Sequence, residues 1–190
     1  MPMSTPIVLT QAFRPFFPLA ALYSAVAIIV WLAGLSGMTT LPTHPTLWHA
    51  HEMLFGFAAA VIAGFVLTAV VNWTGQPSTT PRSLAALTCI WVAARLLGLF
   101  PQETAQHWAM IFDSLFLPGV AMLMTHILLK THNRRNYMFI PFLWALAGVN
   151  IGFHASLRQG EIEHARGLIT LTAWLVGFLL VFMGGRVIPF

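Results

Sequence analysis

The sequence predicts an all-α, polytopic membrane bundle of about six transmembrane helices, and three observations carry that reading. Apolar runs recur along the chain, separated by short polar loops; about twenty such residues cross the hydrocarbon core at ~1.5 Å per residue. The composition is 58% hydrophobic and 7% charged, with a mean hydropathy of +0.79, whereas a typical soluble domain is about 25% charged. The few bases fall unevenly. Arg14, Arg82, Lys130, Arg134, Arg135 and Arg186 lie on one side of the expected bundle, and Arg158 and Arg166 on the other. By the positive-inside rule this places both termini in the cytoplasm, in a multi-pass protein of a bacterial cytoplasmic (inner) membrane. The sequence pI near 10.2 therefore reports topology rather than nucleic-acid binding, and the lipid bilayer is the first partner.

Residues 1–190 read as one transmembrane helical domain. The polar, Pro-containing start up to residue 15 leads to a first helix over 16–35. That run is too long for a signal-peptide core and lacks a basic start, so it is retained. After the loop 36–48 a second helix covers 49–71 and stops at Asn72-Trp73-Thr74-Gly75. The loop QPSTTPR precedes a third helix over 83–100, ended by Pro101, and a fourth follows over 108–129. A basic connection, Lys130 to Arg135, leads to a fifth helix over 137–157. The charged loop RQGEIEHARG then introduces a sixth over 168–188. Trp48 and Trp108 mark the outer interface and Trp73 the inner one. The single cysteine, Cys89, excludes disulfides, CxxC motifs and haem-attachment CxxCH, and reads as a packing residue.

The second helix holds the most informative stretch, WHAHEMLFGFAAAVIAGFVLTAVVNWTG. Two histidines and a carboxylate open a run that is uncharged from Met53 to Val71, and polar groups at that depth are costly. At about 100° per residue, His49 and Glu52 share a face while His51 points the opposite way, with Phe55, Ala58, Ile62 and Phe65. Glu52, Gly56, Ala60, Gly64, Thr68 and Asn72 form a four-residue seam of the kind that lets helix backbones approach closely in lipid. The plain alternative for such histidines is solvation at the interface.

Depth counted from the loops gathers His49, His51, Glu52, His107, Asp113, His154 and His164 at the outer end. Arg95 and Asp113 stand nine residues to either side of Thr104 in the turn between helices three and four, so they lie at matched depth. A buried charge needs a partner, which makes Arg95–Asp113 the expected ion pair, with Glu52 the rival acceptor. If the chain binds a metal or cofactor, depth and spacing nominate His49, His51 and His154 as ligands. Glu52 and Asn150 then bond the ring nitrogens left free, with Asp113 as a further supporting group. Arg95 serves as structural glue, as part of a proton relay or as a clamp on a cofactor carboxylate.

The same long stretch, with FRPFFPLAALYS near the start and GGRVIPF at the end, resembles the NnrS family. Those are polytopic bacterial membrane proteins described as containing haem and copper and associated with denitrification and nitric oxide stress. The resemblance covers essentially the whole chain. It implies haem and copper as cofactors, a haem propionate as the group Arg95 would clamp, and nitric oxide or a related small molecule as ligand. Imidazole suits both metals, and Met53 would soften a copper site. Family members continue past a segment like GGRVIPF into a second helical half, so this chain reads as the N-terminal half. A second half or a second copy is then its expected protein partner. Two other readings stay open: a transporter or proton-conducting bundle using Glu52, Arg95 and Asp113, and a structural half-protein without a site of its own. No nucleophile–base constellation or phosphate loop is present, and no catalysed reaction follows from these residues.

Overall fold

The computed structural model describes residues 6–187, with backbone alone for 186 and 187. Every regular element among them is helical. The bundle consists of α1 (Phe13–Leu35), α2 (Pro45–Thr74), α3 (Pro81–Leu97), α4 (Glu103–Lys130), α5 (Phe139–Gln159) and α6 (Ile162–Val187). Short 3-10 turns at Ile7–Leu9 and Arg134–Asn136 lead into α1 and α5. All of the helices except α3 are long and apolar enough to cross a membrane, five in number. The chain is a multi-pass membrane protein built as an all-α bundle. With 17 residues, α3 is shorter than the expected span over 83–100. At ~1.5 Å per residue it is roughly 25 Å long, near the lower limit for a crossing.

All the helices but α5, which begins at Phe139 rather than 137, start earlier than the apolar runs that announced them. Pro45 occupies the first turn of α2, where its missing N–H costs nothing. The polar residues Glu103 to His107 and the charged residues Ile162 to Gly167 are already helical. Hydropathy marks the part of a helix that meets lipid, and the hydrogen-bonded helix extends beyond it. The expected end of the last helix at residue 188 lies outside the described residues. Thr80 caps α3 through a reciprocal bond with Ser83, with Pro81 at the first helical position. Gly75 (φ 67°) and Gly160 (φ 76°) close α2 and α5 in the left-handed region that favours glycine.

Helix α2 packs against α1, α4 and α6, while α3–α4, α4–α5 and α5–α6 form successive hairpins. Ala60, Ala63, Val66, Leu67 and Val70 of α2 are fully buried. The small-residue seam does bring α1 close: a Cβ on Gly64 would lie 2.9 Å from Phe17 Cε1 and 3.1 Å from Phe16 Cβ. Thr68 ties the same interface by accepting the Phe13 N–H at 3.1 Å. Two minor expectations are corrected. Trp48 is buried rather than interfacial, because α2 starts four residues earlier than its apolar run suggested. Cys89 is exposed on α3, so it is not a packing residue.

Candidate functional site

The local structure of α2 decides where its polar head points. Between Glu52 and Ala58 the helix widens into a π-helical turn, the kind of irregularity that recurs at functional sites. The indole Nε1 of Trp91 donates to the Gly56 carbonyl of that turn at 3.0 Å. A Cβ on Gly56 would meet Tyr23 Cε1 at 2.9 Å, Arg95 Nη1 at 3.0 Å and Glu52 Oε2 at 3.1 Å. Only glycine leaves room there for three polar side chains from three helices.

Around this turn the bundle buries a continuous polar network. The carboxylate of Glu52 accepts from the Tyr23 hydroxyl of α1 and from Nη1 of Arg95 on α3. Nη2 of Arg95 pairs with Oδ1 of Asp113 on α4. Both carboxylates thus hold Arg95, so the expected partner and its rival are both bound. The other oxygen of Asp113, Oδ2, receives Asn150 Nδ2 at 2.8 Å and faces His154 Nε2 at 2.8 Å. His51 Nε2 lies 3.4 Å from the same oxygen. The His51 ring stacks on Phe153 at 4.4 Å. Glu52, Arg95, Asp113, His51 and Asn150 are each no more than 6% exposed.

Hydrogen-bond chemistry constrains the charges. Asn150 donates from Nδ2 to Asp113, which turns its Oδ1 toward His51 Nε2 at 3.1 Å. On its other side, His51 Nδ1 faces Glu52 Oε1 at 3.0 Å. A neutral imidazole donates from one nitrogen only, so acceptors on both sides leave one contact without a hydrogen. Glu52 and Asp113 also carry two negative charges against the single guanidinium of Arg95. Buried charge without compensation is expensive. One further positive charge, a proton or a metal ion, completes the arrangement.

His51, Asp113 and His154 each offer a ligand atom, and these atoms lie within 4.8 Å of one another. They border a cavity of about 220 Å³ that Arg95, Met110 and Phe153 also line. Two imidazoles and one carboxylate leave open coordination positions, a donor set suited to first-row transition metals.

Of the residues nominated from sequence, the structure brings His51, His154, Glu52, Asn150, Arg95 and Asp113 into one network. His49 stands apart. Its ring stacks on Trp31 of α1 at 4.0 Å, and its Nδ1 is buried with no hydrogen-bond partner. The expectation that His51 points away from Glu52 is corrected, since the two are bonded to each other. Regular 100° spacing does not describe a helix that widens at Glu52. Arg95, read as a propionate clamp, holds two carboxylates of the protein itself, and its Nε has no partner. Sequence reasoning missed Tyr23, whose hydroxyl in the middle of an apolar helix was the available signal. It placed Asp113 beside the histidines as a supporting group, and its second oxygen faces both His154 and His51.

No curated protein and no solved structure matches the chain. The family model described as NnrS protein matches residues 7–190.

Proposed function

The chain belongs to the NnrS family, and from that premise we propose that it is a metal-binding membrane protein of the nitric oxide response or denitrification. In this reading it sits in a bacterial cytoplasmic membrane with both termini inside. The observation that carries the reading is the convergence of His51, Asp113 and His154 in a network short of one positive charge. Copper, which the family resemblance implies, suits this donor set. The cavity between these residues, about 220 Å³, has room for an ion with a small ligand.

When bound, a copper ion supplies an open coordination position for a small diatomic ligand and a one-electron couple. The chain's own residues do the positioning. Glu52 fixes His51 through Nδ1, so that Nε2 lies toward Asn150 and Asp113, and Asn150 fixes the orientation of the Asp113 carboxylate. Arg95 holds both carboxylates so that neither swings away. Phe153 covers the His51 ring and limits water around it.

The test is the copper content per protein after equilibration with Cu²⁺ in detergent, with unfolding temperature read in parallel. Loss of bound copper is expected in His51→Ala and His154→Ala, and no change in His49→Ala. Retention of wild-type copper by both folded variants of the first pair overturns the reading. The unbroken polar chain from Tyr23 to His154 favours a second reading, a proton-conducting bundle. Proton flux in liposomes, with no metal bound at any occupancy, would support it instead.

A further inference from the structure

The buried site has an approach that neither its ligands nor its family explains. Glu103, His107, Met110 and Asp113 follow one another on α4 at spacings of four, three and three, so they form one stripe down a single helix face. Exposure falls along it: Glu103 and His107 are exposed, Met110 is half-buried and Asp113 is buried. Glu103, His107 and Met110 line a surface groove of about 430 Å³. Met110 also lines the inner cavity with Asp113 and His154, so it stands at the boundary between the two spaces. It belongs to neither hydrophobic cluster described for the bundle. A methionine held out of the core and turned to two cavities is poorly explained by packing.

We propose that this stripe is the entry route of the metal ion, passing a soft monovalent copper ion from Glu103 and His107 through the Met110 thioether to Asp113 and the buried histidines. The chemistry changes in the order such a route needs. Carboxylate and imidazole collect the ion at the aqueous end, and a thioether stabilises Cu(I) where water thins out. The buried, negatively charged network then retains it. Successive groups stand about 4.5–6 Å apart along the helix axis, so the ion crosses no bare apolar stretch. Arg158 of α5 borders both the groove and the cavity. Its charge opposes a cation on this path, so its removal should ease entry.

The inference rests on the metal reading above, and the experiment separates their failures. The full chain in detergent is mixed anaerobically with Cu(I) alone. Uptake is followed by stopped-flow competition with a chromophoric Cu(I) chelator, and final copper per protein is then measured. His107→Ala and Met110→Leu are expected to slow loading several-fold, together more than singly, with final copper and unfolding temperature unchanged. Arg158→Gln is expected to speed loading. Unchanged rates in both stripe variants, or slower loading in Arg158→Gln, overturn the route while the site stands. A fall in final copper for Met110→Leu also overturns it, by making Met110 a ligand. A wild-type protein that takes up Cu²⁺ but no Cu(I) overturns the route, and one that takes up neither overturns both.

Discussion

Asp113 is the residue on which the most interactions converge, since one oxygen serves Arg95 and the other serves Asn150, His154 and His51. Removing it leaves Arg95, 3% exposed, with Glu52 as its remaining carboxylate, and takes the acceptor from Asn150 and His154. Asp113→Ala is therefore expected to destabilise the bundle by about 1–3 kcal/mol, the cost of buried donors left without an acceptor. Denaturant unfolding in mixed micelles measures it, and a loss well under that range would place water around the arginine. Tyr23→Phe removes a single bond to a charged acceptor and is expected to cost about 1.5–3 kcal/mol without changing bound copper. The Arg95–Asp113 pair was legible because both residues stand at equal distances from one turn. Tyr23 was not, because an aromatic ring in an apolar run looks like lipid-facing or core packing until its neighbours are known. His49 stands apart for a related reason: depth puts it beside His51, but only the helix surface decides which neighbour it meets, and it meets Trp31.

At the scale of one helix, α2 combines two demands. Its apolar half must press against α1, and its polar head must reach α3, α4 and α5. The glycines mark where backbone closeness is required. Gly56→Ala is expected to cost about 1–3 kcal/mol by overpacking against Tyr23 and Arg95, and to disturb the polar network with it. Gly64→Ala meets Phe16 and Phe17 and is expected to weaken the α1 interface alone. Gly148 of α5 has nothing within 4 Å of an added Cβ, so Gly148→Ala serves as a control at or slightly above wild-type stability. Thermal unfolding of the three variants ranks them, and equal stability of all would contradict the close packing described here. The small-residue seam was visible in the sequence as a four-residue repeat. The widened turn was not, because no local residue signature distinguishes Glu52–Ala58 from ordinary helix.

For the whole molecule, hydropathy was enough to outline the bundle, and side chains from five helices were needed to assemble the site. The orientation proposed from the bases is open to direct measurement. Cysteines introduced at Gln76 and Gln159 should react with a membrane-impermeant maleimide from opposite sides, with Gln159→Cys reached from outside the cell. Labelling of Gln76→Cys from outside would invert the bundle and move the polar network to the cytoplasmic end. A wide turn is what an α-helix becomes when it absorbs one residue too many, and in α2 it keeps the two halves in phase despite that residue. Deleting Met53 would let the hydrogen-bond ladder run regularly, with Gly64 still against Phe16 and Phe17 and His51 and Glu52 still turned to Arg95 and Asp113. Between His51 and Ala59 the chain should therefore tolerate the loss of one residue, whereas the same deletion made further along α2, with no wide turn to absorb it, would turn one half by about 100° relative to the other.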